Sequence, residues 1–443
     1  MGTFAFQTSD LKTAAYYTLG CKLNYAETST IGRHLRAMGI REAAKGETPD
    51  ICVVNTCSVT ETADKKARSL IRRIVRQYPC AFVVVTGCYA QLKPAEVSAI
   101  EGVDLVLGSN EKLRIADYLG DLSKLSEPRV AAGNFDKADA FSPSCSRGDR
   151  TRFFLKVQDG CDYYCTYCTI PFARGRSRSG RIEDIVLQAR EAAEQGGREI
   201  VITGVNIGDF GKNTGENLEA LLKALDKVEG IARYRISSIE PNLLTDSIIE
   251  WIASESRAYM PHFHIPLQSG SDDVLRKMNR RYDTALFASR IEKIRRLIPD
   301  AFIGVDVIAG ARGETEEEWQ KSYDFIKGLD VTRLHVFPYS ERPGTAALHL
   351  DEIVSKEERA RRTATLIELS DGKLEAFMKK NIGLVRPVLW EGRVAGGMMS
   401  GLTDNYLRVV APYSPELVNT ISDVRLEGID TSRPETMTVD PIQ

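Results

Sequence analysis

From residue 14 to about residue 120, short apolar runs alternate with stretches of helical period. Runs at 14–19, 50–55, 81–86 and 103–107 are strand-sized, and helical spacing fills 24–38, 61–77 and 93–100 between them. Apolar runs without polar alternation belong to strands covered on both faces, so this segment predicts a parallel sheet with helices on either side. Residues 134–150 have no period, are rich in Ser, Asp and Ala, and read as a linker. From 151 to about 347 the alternation resumes, with strand candidates at 152–157, 199–203, 233–237, 262–265, 302–308 and 333–337. Helical stretches such as 181–195, 217–228 and 316–327 separate them. Six βα units in succession predict a barrel or partial barrel. A charged helix at 356–380 packs back or bridges. Beyond 384, β-branched residues, glycines and turn signals such as TDN at 403–405 predict a small all-β module. The expected organisation is therefore an α/β domain over 1–133, a linker over 134–150, a partial (β/α)6 barrel with its trailing helix over 151–383, and a small β-barrel over 384–443.

Composition adds exclusions. Lys and Arg number 59 against 61 Asp and Glu, a net charge of −2, which excludes a histone-like chain but not a local basic groove. The longest apolar runs, such as 81–85, fall far short of the ~20 residues that span a bilayer. Residues 1–10 lack the basic and apolar regions of a secretory signal, and Phe6 does not suit a myristoylated Gly2. These features predict a cytoplasmic chain without a membrane. Thiols stay reduced there, so nine cysteines read as metal ligands before disulfides.

Cys161, Cys165 and Cys168 form a CxxxCxxC motif just after the first strand of the middle segment. Zinc usually takes four ligands, and no fourth Cys or suitably spaced His follows. A [4Fe–4S] cluster held by three thiolates keeps one iron open for a substrate or cofactor. Cys21, Cys57 and Cys88 each follow the end of a predicted strand by one or two residues. The carboxyl ends of parallel strands share one edge, where ligands bind, so these three converge as a second triplet. Buried free cysteines are the alternative for each taken alone. Cys52 lies within a strand, Cys80 at the opposite edge and Cys145 in the linker.

The CxxxCxxC loop resembles that of the radical S-adenosylmethionine (SAM) superfamily. With a second triplet, and with TLGCKLN at 18–24, VNTC at 54–57, TGC at 86–88, QDGC at 158–161 onward to Ser179, HIPLQSGS at 264–271 and FPYS at 337–340, the whole chain resembles the radical SAM methylthiotransferases. GCKLN at 20–24 and ARGRSR at 173–178 look like the MtaB type, which acts on N6-threonylcarbamoyladenosine beside the tRNA anticodon. The resemblance implies an N-terminal cluster domain, a radical SAM domain and a TRAM domain. It also implies two [4Fe–4S] clusters, and SAM as both methyl donor and radical source. It implies tRNA, a reducing electron donor and a sulfur source as partners. Isopentenyladenosine in tRNA and an aspartate of ribosomal protein S12 are alternative targets of the same chemistry. A two-cluster electron carrier is the alternative of a different class, but it would want four cysteines per cluster. GARGE at 310–314 departs from the family's usual GFPGE.

Tyr167 inside the cysteine loop, and Thr203 and Gly204 at the second strand end, are implied SAM contacts. Glu240, Gln268 and Asp306 at later strand ends reach SAM or substrate, or merely cap loops. Lys65, Lys66, Arg68, Arg72, Arg73 and Arg76 make one helix basic. Arg174, Arg176 and Arg178 are candidate RNA phosphate contacts, although a charge run also reads as a solvated face. The 384–443 segment carries five basic and eight acidic residues, which is unexpected for an RNA module. Either Arg386, Arg393 and Arg408 gather on one face, or the grip on RNA comes from elsewhere.

Overall fold

Strands Thr13–Thr18, Ile51–Thr56, Phe82–Gly87 and Leu105–Leu107 pair in parallel, with Arg41–Glu42 and Arg129–Ala131 as short edge strands. Every residue of Ile51–Thr56 and Phe82–Gly87 is buried, which is why both read as unbroken apolar runs. The helix Glu61–Gln77 begins where the Thr60 hydroxyl accepts the Ala63 amide at 3.1 Å. The computed structural model describes residues 12–135, 141–146 and 151–441. The expectations about residues 1–10 lie outside the described residues.

Six parallel strands follow in chain order: Arg152–Lys156, Glu199–Thr203, Arg233–Ile236, His262–Gln268, Phe302–Ala309 and Arg333–Pro338. The first three and the last three form two sheets, with an isolated bridge from Tyr234 to Tyr259 just before the fourth strand. The linker expectation needs correction. Ser144–Cys145 pairs antiparallel with the first of these strands and is buried. Two residues are too few to leave a period in the sequence.

Outward positions such as Phe153, Leu155, Ile265 and Val305 pack into the largest apolar core, beneath the helices. A closed barrel fills its interior with branched apolar side chains. Here the inward positions include Arg152, Glu199, Arg235, His264, Asp306 and His335. The helix Lys22–Ala37 lies on this inner face, where Tyr25 meets Phe154 at 6.3 Å and Ala26 packs with Phe154 and Val201.

The C-terminal strands Val385–Ala395, Met398–Thr403, Arg408–Pro412, Ile421–Ile429 and Met437–Pro441 close into a barrel, as expected of a TRAM module. The helix Lys356–Asn381 bridges to it, burying Leu374, Phe377 and Met378 in one cluster with Phe302 and Trp390. Tyr406 seats under the central strands, with its ring 4.0 Å from His262. Arg235 donates to the carbonyls of Thr403 and Asp404 at 2.7 and 2.8 Å, and Arg233 donates to Leu402 and Pro387. This barrel is thus the floor of the central lumen. Of its arginines, Arg386 pairs with Asp300 at 2.6 Å and Arg408 lies 3.7 Å from Glu391, so both are matched by carboxylates.

Candidate active site

In the N-terminal sheet, Thr18 pairs with Asn55 and Asn55 with Thr86, so three strands end in one row. Cys21 then caps the helix Lys22–Ala37, Cys88 opens the helix Cys88–Leu92, and Cys57 lies between them. Gly20 leaves room for this approach, since a Cβ there would lie 2.7 Å from that of Cys57. Burial pushes the Cys57 thiol up to about 12, with Cys88 and Cys21 adding to it, and burial also raises Cys88. Such thiols become thiolates when a metal balances their charge. Cys52 is buried within its strand, Cys145 is buried in the edge strand, and Cys80 is exposed.

The second triplet sits in a loop closed by the antiparallel pair Gln158–Asp159 and Arg178–Ser179. Gly160 has φ +70°, and a Cβ on it would lie 2.0 Å from the Arg176 carbonyl, so no side chain fits there. The amides of Tyr163 and Ile170 donate to the Cys161 and Cys168 sulfurs at 3.5 Å. Arg280 donates to the Cys165 sulfur at 3.0 Å and pairs with Glu240. Sequence reasoning missed Arg280. It lies 115 residues from Cys165, and nothing in its local pattern marks it. Among the described residues, the one set of three candidate ligand atoms within 4.8 Å of each other is His264, Asp306 and His335. Neither cysteine triplet is that tight, whereas tetrahedral zinc would hold sulfurs ~3.8 Å apart.

A buried ion network ties the two triplets together. Arg174 donates to Glu27 at 3.0 Å and Asp159 at 2.9 Å, and to the Asn24 side-chain oxygen at 2.7 Å. Lys156 reaches Glu27 at 2.9 Å and Asp159 at 2.6 Å. Burial pushes the Glu27 carboxyl up, but Arg174, Lys112 and Lys156 outweigh it and hold the group well below the usual carboxylate range. A second strap is Arg342, which donates to Ser58 and Asp64 at 2.9 Å each. This corrects the RNA assignment of Arg174. Its side chain is 1% exposed and fully engaged, so it binds no phosphate. Arg178 also turns inward, donating to the carbonyls of Arg174 and Arg176 at 2.6 and 3.2 Å. Arg176 is exposed, and so are the aromatics Tyr164 and Phe172, whose rings lie 6.3 Å apart.

Tyr167, Gln268 and Asp306 line one cleft of about 210 Å³ with Cys168; Val59, Thr60 and the 337–340 segment form its other wall. Gln268 holds φ +71° at a register shift in its strand, a strained conformation of a kind that clusters at functional sites. Thr203 and Gly204 do not line this cleft. Thr203 is buried, and Gly204 packs so that a Cβ would meet Ile207 at 2.7 Å. Nearby, the buried side-chain amide of Asn206 and the Ser237 hydroxyl have no hydrogen-bond partner among the described residues. They were not singled out from sequence, and a bound polar ligand would satisfy them. In the variant GARGE loop, Arg312 donates to the carbonyls of Leu348 and Leu350 at 3.1 and 3.2 Å and to Glu341 at 3.0 Å. It secures the loop by its own bonds.

Residues 155–326 match the Radical SAM superfamily, and residues 13–108 match the Uncharacterized protein family UPF0004. The chain is 39% identical to the threonylcarbamoyladenosine tRNA methylthiotransferase MtaB of Bacillus subtilis, over 94% of each chain. The chain belongs to the radical SAM methylthiotransferases. Within that family it is 37% identical to the Thermotoga maritima protein of the same name, over 90% of this chain and 91% of that one. It is 30% identical to a tRNA-2-methylthio-N(6)-dimethylallyladenosine synthase of Carboxydothermus hydrogenoformans, over 93% and 96%. In fold it is similar to the radical SAM methyltransferase TsrM of Kitasatospora setae, with a TM-score of 0.54 at 14% identity over 88% of this chain and 80% of that one.

As a member of the radical SAM superfamily, this methylthiotransferase uses a [4Fe–4S] cluster and SAM. The residues present fit both. Cys161, Cys165 and Cys168 offer three thiols with amide and guanidinium donors already aimed at the sulfurs, and the unpartnered Asn206 and Ser237 await a polar ligand. Among the described residues no helix is long and apolar enough to cross a membrane.

Proposed function

We propose that the protein replaces the C2 hydrogen of N6-threonylcarbamoyladenosine, at position 37 of tRNA, with a methylthio group. The observation that carries this reading is full-length likeness to relatives named for that activity, in a chain whose two cysteine triplets are strapped together by one buried ion network. Two clusters divide the work: Cys161, Cys165 and Cys168 hold the cluster that engages SAM, and Cys21, Cys57 and Cys88 hold the one that carries sulfur. Bound together, clusters and SAM supply a reductively generated carbon radical and a methyl donor. The chain's own residues position them. Arg280 fixes the Cys165 sulfur, Glu240 fixes Arg280, and Tyr167, Gln268 and Asp306 wall the space where SAM and base meet. An external electron donor and a sulfur source complete the cycle, in the cytoplasm where tRNA is modified.

Incubating the anaerobic protein with SAM, reductant and tRNA carrying threonylcarbamoyladenosine is expected to convert that nucleoside to its 2-methylthio form, read by mass analysis. Conversion only of isopentenyladenosine tRNA would overturn the substrate assignment. The same preparation is expected to hold about eight irons. Cys80→Ala, at the opposite edge of the sheet, should keep them all, and a variant left with half would refute the assignment of ligands.

Exposed Arg176, together with the exposed pair Tyr164 and Phe172, forms the surface on which the anticodon loop rests. Arg176→Ala is expected to lower the slope of log affinity against log salt by roughly 0.7 to 0.9, the value of one phosphate contact. Titrating tRNA at several salt concentrations measures it; an unchanged slope removes Arg176 from the interface.

A further inference from the structure

We propose that Lys22 binds the carboxylate of the threonylcarbamoyl group, received in the lumen of the central barrel below the cleft. This rests on the substrate reading above and deepens it.

The lumen is lined by charge, and nearly all of that charge is matched. Arg152 pairs with Glu391 at 3.1 Å, Lys156 with Glu27 and Asp159, and Arg333 with Glu435 at 3.0 Å. Arg233 and Arg235 share Glu199 at 4.0 and 3.0 Å. Lys22 is the exception. It is half-buried in the first turn of the helix Lys22–Ala37 on the inner face, within electrostatic reach of Arg152, Arg235, Asp306 and the Tyr406 phenol, and among the described residues it has no hydrogen-bond or ion-pair partner. The one carboxylate near it, Asp306, is taken by His264 at 2.7 Å.

The sign of the missing partner follows. Arg233, Arg235 and Lys22 stand against the carboxylates of Glu199 and Asp306, which leaves one positive charge in surplus, so the site takes an anion. The same surplus disfavours a cation at His264, Asp306 and His335, although their ligand atoms lie within 4.8 Å of one another. The cleft and the lumen adjoin at Asp306, which lines the first and lies at an inward position of the second. Of the two side groups for which the relatives are named, threonylcarbamoyl ends in a carboxylate and dimethylallyl is hydrocarbon. A sequestered ammonium accepts the first and is left desolvated by the second, and that asymmetry is how buried polar groups discriminate.

The test uses the iron-loaded protein and three anticodon stem-loops. One carries threonylcarbamoyladenosine, one its carboxamide analogue with the charge removed, and one unmodified adenosine. Wild type is expected to bind the carboxylate loop roughly tenfold or more tightly than the carboxamide loop. Lys22→Met and Lys22→Gln should abolish that preference by weakening the carboxylate loop alone, and Lys22→Arg should keep part of it. Iron content checks that the neighbouring Cys21 still serves; binding is compared among variants that hold wild-type iron. A neutral variant that keeps the preference, or weakens both loops equally, overturns the assignment. So does a wild type that prefers threonylcarbamoyladenosine to adenosine yet ignores the carboxamide change, which leaves the substrate reading standing. A wild type with no preference over unmodified adenosine rejects both.

Discussion

Alanine at Cys161, Cys165 and Cys168 together is expected to bring 5′-deoxyadenosine formation below detection, because the open iron that would bind SAM has no protein ligands left. Alanine at Cys21, Cys57 and Cys88 should behave differently. SAM cleavage stays measurable and the methylthio product disappears, since only the second triplet is removed. Each protein should keep about four irons. Liquid chromatography of 5′-deoxyadenosine alongside nucleoside mass analysis separates the two outcomes. Unimpaired methylthiolation by the N-terminal triple variant would refute the division of labour.

Arg174→Ala is expected to destabilise the protein by about 3–5 kcal/mol, the range for removing one partner of a buried ion pair. Glu27 and Asp159 would be left facing each other across the junction of the two cysteine-bearing lobes, with Lys156, Lys112 and Arg178 as their remaining cations. The denaturation midpoint should fall, while the salt slope of tRNA binding stays at its wild-type value. A variant of wild-type stability with a reduced slope would restore Arg174 to the RNA interface. Acid probes the same network. The Glu27 carboxyl is held below its unfolded value, so its contribution is fully present above the unfolded pKa of about 4.3 and is lost as pH falls towards the folded one. Denaturation midpoints taken between neutral pH and pH 3 should decline more steeply in wild type than in a Glu27→Gln protein.

The sequence disclosed most where burial or repetition leaves a local mark. Ile51–Thr56 and Phe82–Gly87 are buried throughout, so their runs were legible to within a residue. The places of Cys21, Cys57 and Cys88 at neighbouring strand ends, and of Cys161, Cys165 and Cys168 in one loop, were legible from strand order and spacing. Arg41–Glu42, Arg129–Ala131 and Ser144–Cys145 were not, because two or three residues on a sheet edge carry no period. Arg174 was misread for a different reason. An arginine among arginines looks like surface charge, and its partner Glu27 is 147 residues away. Arg280 and Lys22 share that difficulty: what they do is decided by groups that only the fold brings near.

The acidity of the C-terminal barrel has a consequence for how such segments are judged. Glu391 faces Arg152, and Glu435 faces Arg333, both at the underside of the central strands. Glu391 is an internal fitting of the molecule, and Glu435, though exposed, is balanced by its pair with Arg333. A tally of charge by chain segment counts both as unmatched surface charge, which neither is. The field that RNA meets is set by what remains after the modules have docked on one another. Homologues whose terminal barrels differ in sequence charge can therefore present similar outer faces, provided the docking arginines vary in step.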